Sequence, residues 1–240
     1  MNKAKKSIAI MQPVYLPWLG YFEQMALCDE FMFLDDVQYT KQDWRNRNRI
    51  RTKDGWMWLT IPIKRGKLGQ RLNETQINHQ LNWRRKHLAA LEMNYKPCRY
   101  YTEITQLYEA ILSTSPDRLI DLTIPLIITF ARYMSIETEF TRSSDLTLNA
   151  NDKQSRVLEL CNLRGADIFY TGASARDYME NDVIAKASVK AVFQNYQHPV
   201  YNQHFQGFES HMSIIDLLMN HGPDAREILL SSPKPDFVPI

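Results

Sequence analysis

The sequence predicts an α/β protein built on a mostly parallel, Rossmann-like sheet with a helical insertion. Two observations carry that prediction. Short apolar runs of strand length at Ser7–Met11, Phe31–Leu34 and Asp167–Thr171 alternate with segments of helical period. The first two runs flank one helix within about thirty residues, the spacing of a parallel βαβ unit.

Ser7–Met11 (SIAIM) is a buried strand. Gln12–Trp18 (QPVYLPW) contains two prolines and reads as a non-helical turn. Leu19–Cys28 spaces Leu19, Phe22, Met25 and Ala26 as one helical face. Phe31–Leu34 is the second strand, ended by Asp35 and Asp36. Asp35–Arg51 is polar and basic and reads as a functional loop. A turn at Lys53–Gly55 and a strand over Trp56–Ile63 follow, then a flexible basic stretch around Gly66 and Gly69.

Helices are expected near Asn82–Met93, near Tyr101–Leu112 and over Asp117–Met134, the last kinked at Pro125. Residues 80–135 are therefore the expected helical insertion or cap of a single α/β domain spanning 1–240. Strand returns at Glu137–Thr141, helix at Lys153–Leu163, and strand at Asp167–Thr171 and Val189–Phe193. Ser213–Asn220 is a helix stopped by Gly222 and Pro223, and Ser231–Ile240 reads as an extended tail.

Composition is ordinary for a globular chain, 44% apolar and 23% charged, with a formal net charge of +2. That balance gives no footprint for nucleic acid or an anionic membrane. Cys28, Cys98 and Cys161 lie too far apart for a cysteine zinc site and are odd in number, which fits a reducing compartment. Ile8–Met11 is too short for a signal-peptide core, and no apolar stretch reaches membrane-spanning length. A cytoplasmic protein is expected.

Several runs match a known family in order along nearly the whole chain. Met11-Gln12-Pro13, Tyr15, Pro17-Trp18 and Gly20-Tyr21-Phe22 open the match. Asp35-Asp36-Val37-Gln38-Tyr39, Trp44, Asn46-Arg47-Asn48-Arg49 and Leu59–Lys64 continue it. Tyr170-Thr171-Gly172, Ser174–Tyr178, His198-Pro199, Tyr201, Gln203 and Ser213–Leu218 complete it. The chain resembles the WbqC-like proteins. This resemblance implies a link to O-antigen (lipopolysaccharide) and related surface-polysaccharide synthesis. It also implies a transferase role, such as moving glycine or another aminoacyl group to a sugar. The layout of the first fifty residues is also similar to HUP-type nucleotidyltransferases such as pantothenate synthetase. Those enzymes hold ATP phosphates with two histidines in the first turn. Here that turn offers Gln12 and Tyr15, and no histidine precedes His79.

Four constellations are candidates for chemistry. The turn Gln12–Tyr21 precedes a helix N-terminus, where anions are favoured; Gln12, Tyr15, Trp18 and Tyr21 are its candidate ligand contacts. Asp35 and Asp36, with Tyr39 nearby, end a strand; the pair suits Mg²⁺ held with substrate phosphates, or one of the two carboxylates acting as the general base. Trp44, Arg45, Asn46, Arg47, Asn48 and Arg49, with Lys64 downstream, suit a phosphate-bearing substrate, since guanidinium groups bind phosphate bidentately. Gly172, Ser174 and Tyr178 mark a second strand-to-helix turn, with Ser174 an expected N-cap. His198 is the alternative base, its ordinary pKa lying near neutrality. His198, His204 and His211 lack the spacing of a helical zinc pair, so no metal cage is expected. The residues name no cofactor. The leading expectation is an acyl or aminoacyl transferase acting on an amino sugar or nucleotide sugar. The alternatives are an ATP-dependent nucleotidyltransferase or ligase and a non-catalytic ligand-binding protein.

Overall fold

The computed structural model describes residues 5–41, 43–150, 152–177, 179 and 188–238. In chain order the regular elements are β1 (Ser7–Met11), α1 (Leu19–Leu27), β2 (Glu30–Phe33), β3 (Arg47–Thr52), β4 (Gly55–Thr60), α2 (Trp83–Tyr95), α3 (Tyr101–Ser113), α4 (Ile120–Tyr133), β5 (Glu139–Arg142), α5 (Lys153–Leu163), β6 (Ile168–Thr171), β7 (Lys190–Phe193), α6 (Ile214–His221) and α7 (Ala225–Leu229).

Five strands form one sheet in the order β5-β2-β1-β6-β7, and every neighbouring pair is parallel. Numbered by their own succession, these strands run third, second, first, fourth, fifth. This is the Rossmann order, with its switch point between β1 and β6. Side chains alternate across the sheet. Ala9, Phe31, Phe33 and Tyr170 join α1, α6 and the helices α2–α4 in the larger core. Ile8, Ile10, Met32 and Phe169 meet Val157, Leu158, Leu160 and Cys161 of α5 on the other face. The protein is thus α/β, a parallel sheet flanked by helices. Phe22, Phe31 and Phe33 are buried essentially completely, each contributing roughly 1.5–3 kcal/mol.

The four strands expected around Ser7, Phe31, Glu137 and Asp167 all lie in this sheet. The reading of Asp35–Arg51 as loop throughout needs correction. Arg47–Thr52 is a strand paired antiparallel with β4, in register Arg47↔Thr60, Asn48↔Leu59 and Arg49↔Trp58. Its polar composition hides a period of two: Asn48 and Ile50 are buried, while Arg47 and Arg49 point to the other face. The turn after β6 also differs. Ala173–Asp177 is a 3-10 helix with Ser174 inside it, so Ser174 does not cap an α-helix. α7 follows α6, the described residues 231–238 form no helix or strand, and Phe237 packs on Tyr170 with ring centroids 5.2 Å apart. Pro125 lies inside α4. Among the described residues no helix is long and apolar enough to cross a membrane.

Candidate functional site

At the carboxyl ends of β1 and β6 lies a cavity of about 800 Å³, the size of a small-molecule site. In an open parallel sheet the crevice at the switch point is where ligands bind, because the chain departs to opposite sides there. Met11, Gln12, Val14, Trp18 and Tyr21 contribute from β1, its turn and α1. Leu34 contributes from the end of β2, and Thr171, Gly172, Ser174 and Ala175 from the end of β6. Trp44, Arg45, Asn48 and Arg49 come from the approach to β3 and its start, and Tyr196, His198 and His211 from the segment before α6.

The Gln12–Trp18 turn is held in an unusual shape. Leu16 is buried with φ +46°, a left-handed conformation that non-glycine residues rarely adopt. Asn48 stabilises it by donating from Nδ2 to the Leu16 carbonyl at 2.7 Å. Its own Oδ1 accepts the Arg49 N–H at 2.8 Å. Ser213 N–H donates to Arg49 O at 2.9 Å and Ile214 N–H to Pro17 O at 2.8 Å. Turn, hairpin and α6 are thereby joined around one wall.

Arginines supply the charge. Arg45 Nε donates to Gln12 Oε1 at 2.7 Å, and its Nη1 pairs with Asp43. Arg49 Nη2 donates to His211 O at 3.2 Å, and its guanidinium lies 4.9 Å from the Trp56 ring. Among the described lining residues there are two arginines and no carboxylate. His198 Nδ1 donates to Pro199 O at 2.9 Å, leaving Nε2 as the acceptor of a long 3.3 Å contact from His211 N–H. Burial holds the His198 pKa below its usual value, with His211 adding to the effect, so the imidazole is neutral at pH 7.

Behind the lining, Glu23 is buried and accepts from Tyr170 OH at 2.9 Å and Gln194 Nε2 at 2.7 Å. Burial raises its pKa despite those hydrogen bonds. Gln24 Nε2 donates to Gln194 Oε1 at 2.7 Å. A second buried acid, Asp216, accepts from Tyr95 OH, Tyr201 OH and Gln203 Nε2 at 2.8–2.9 Å. This network fastens the segment carrying His198 to α2 and α6.

The structure brings Gln12, Trp18, Tyr21, Trp44, Asn48, Arg49, Gly172, Ser174 and His198 together at the cavity. Asp35 and Asp36 are not among the lining residues. Asp35 is fully buried and accepts from Ser144 N–H at 3.0 Å and Ser144 Oγ at 2.8 Å. Asp36 accepts from Ser143 Oγ at 2.6 Å and pairs with Arg156. Tyr15 is buried with its hydroxyl on His87 Nδ1 at 2.9 Å and on Tyr108. Asn46 donates to Ile61 O at 2.8 Å, Arg47 stacks 4.5 Å from Trp58, and Tyr39 pairs its N–H with Gln70 O. Lys64 lies in a separate shallow pocket with Arg65 and Lys67. Tyr178 is outside the described residues. Arg45, one of the three arginines of the expected basic loop, also lines the cavity. Tyr196 and His211 line it without having been candidates and arrive only through the tertiary fold.

A family model described as the WbqC-like protein family matches residues 12–228. An uncharacterized protein of Mycobacterium tuberculosis is 38% identical over 227 residues, covering 93% of this chain and 97% of its own length. No solved structure matches. With the match running from the Gln12 turn through α7, this chain belongs to the WbqC-like protein family.

Proposed function

We propose that the cavity at the β1–β6 switch point binds a phosphate-bearing amino sugar or nucleotide sugar, and that the protein transfers an acyl or aminoacyl group to it. The supporting observation is the lining itself: Arg49 and the Asp43-paired Arg45, with no carboxylate among the described lining residues, in a crevice where parallel α/β folds bind ligands. A phosphate there gains charge-assisted hydrogen bonds. Neutral His198 is the base in this reading. Its Nε2 gives up the long His211 N–H contact and takes the proton released as the sugar amine attacks the acyl carbonyl, and the donor's leaving group departs with the electron pair of the broken bond. Asp35 and Asp36 are assigned to holding the end of β2, since their oxygens are already engaged. The resemblance to a family linked with surface-polysaccharide synthesis supports the same substrate class.

The test is a thermal-shift screen of nucleotides, nucleotide sugars and acyl donors, because ligands that bind the native state raise Tm. Diphosphate-bearing sugars are expected to raise it. Arg49→Ala should weaken the bound ligand by about 1.5–3 kcal/mol. In turnover assays His198→Gln should lower kcat roughly 10²–10⁴-fold and remove the acid limb of the pH profile, which in the native protein lies below the ordinary histidine range because burial lowers the His198 pKa. A screen in which no phosphate-bearing compound shifts Tm sinks the reading.

One observation favours a second reading, nucleotidyl transfer. His198 and His211 face the cavity with ring centroids 4.9 Å apart, so two imidazoles reach the crevice although the first turn has none. A Tm shift by ATP together with release of pyrophosphate on turnover would select it.

A further inference from the structure

The hairpin β3–β4 carries a face that the core does not consume. Its register puts Arg47 and Arg49 on the same side as Trp58 and Thr60. The Arg47 guanidinium lies 4.5 Å from the Trp58 ring and the Arg49 guanidinium 4.9 Å from that of Trp56. Trp44 packs on Trp58 with centroids 5.3 Å apart, and Trp56 stands 5.5 Å from Trp58. The three indoles therefore form a row, Trp44–Trp58–Trp56. Trp44 and Trp56 each leave 43% of their surface in water. Large aromatic side chains held in solvent by rigid neighbours mark a contact surface more than a core defect.

The row is continuous with the cavity, because Trp44 and Arg49 belong to both. The Arg49 guanidinium lies 5.7, 4.9 and 6.0 Å from the Trp44, Trp56 and Trp58 rings, so three aromatic neighbours confine it. Its Nε is buried and has no hydrogen-bond partner. Positive charge between aromatic faces calls for an occupant with apolar ring faces and negative charge. Bases of a single strand stack best on parallel platforms. Here the planes of successive indoles are turned by 51° and 79°, which breaks such a stack. Pyranose rings offer C–H faces in directions that change from one sugar to the next, and one indole can take each.

We propose that the Trp44–Trp58–Trp56 row is a saccharide subsite. It receives the sugar rings of an anionic saccharide whose carboxylate or phosphate pairs with Arg49 at the cavity rim. The proposal rests on the reading of the cavity as a phosphate-sugar site and extends that reading from one sugar to a short chain.

Titration of intrinsic tryptophan fluorescence tests it, with an acidic hyaluronan tetrasaccharide, neutral chitotetraose and a uridine decanucleotide as probes. Pyrophosphate binding is followed in parallel by calorimetry. The acidic tetrasaccharide is expected to quench saturably and to bind more tightly than either other probe. Trp56→Ala should weaken it at least about tenfold with Tm unchanged, and should weaken pyrophosphate binding by a smaller factor, since Trp56 reaches the cavity only through Arg49. Absence of saccharide binding, equal binding by Trp56→Ala, equal binding of the neutral sugar, or tighter binding of the decanucleotide each overturns the subsite. Saccharide binding without pyrophosphate binding keeps the subsite and removes the cavity reading; the reverse pattern removes the subsite alone.

Discussion

Asp36 shows how a residue can be legible as polar and important yet carry a different role from the one its type suggests. An Asp doublet at a strand end reads as a base. In the fold, burial raises the Asp36 pKa, but the Ser143 hydrogen bond and the Arg156 ion pair outweigh it and hold the carboxyl below its usual range. Depressed carboxylates stabilise fully above the unfolded value and lose that contribution as pH falls through the folded one, here below roughly pH 4. Asp36→Asn should therefore cost on the order of 2 kcal/mol, read from denaturant midpoints. Turnover per folded molecule should change little. Intact stability with turnover lost 10²-fold or more would return Asp36 to the catalytic role. Sequence could not distinguish the two outcomes, because the partners Ser143 and Arg156 lie more than a hundred residues away.

At the scale of elements, the strands with continuous apolar runs were readable because both faces of a parallel sheet are covered. β3 was not. Its buried position 48 is an asparagine satisfied by backbone carbonyls of another segment, and its outer arginines are satisfied by indoles, so neither side shows an apolar period. The turn into α1 was readable from its prolines, but the need for Gly20 was not. A Cβ on Gly20 would fall 2.2 Å from Trp18 Cη2, so the indole lies directly against the first turn of α1. Gly20→Ala should push Trp18 from its place, with destabilisation of about 1–3 kcal/mol and an altered near-UV circular dichroism spectrum. Pairing it with Trp18→Leu should recover most of the lost stability; strict additivity of the two losses would show that they do not touch.

For the whole molecule, the helices between β4 and β5 are fastened to the first turn by Tyr15, His87 and Tyr108. His87 Nε2 donates to Thr60 O at 3.1 Å while Nδ1 accepts from Tyr15 OH at 2.9 Å, which in turn accepts from Tyr108 OH. Burial pushes the His87 pKa down to about 4, so the native state keeps it neutral. The unfolded chain takes up a proton near pH 6.5 that the native one refuses. Global stability should accordingly decline as pH falls from about 6.5 to 4, by on the order of 3 kcal/mol in total from this group. His87→Phe should flatten that slope in urea midpoints taken across the range; an unchanged slope would place the acid sensitivity elsewhere. Convergence of the Gln12 and Gly172 turns was legible from strand succession alone. Arrival of Tyr196, His198 and His211 was not, since it depends on Asp216 gathering Tyr95 from one part of the chain and Tyr201 and Gln203 from another.

The strand order has a consequence in time. β1 lies at the centre of the sheet, and β2, on one side of it, follows it almost at once along the chain. Its other neighbour comes much later: Lys6 N–H, at the foot of β1, waits for Asp167, 161 residues on. At cellular elongation rates that wait is on the order of ten seconds. Throughout it, one edge of the apolar strand Ser7–Met11 has no native partner. Such an edge is a template for pairing with another nascent chain. The ribosome-bound intermediate, rather than the finished protein, is where aggregation would begin.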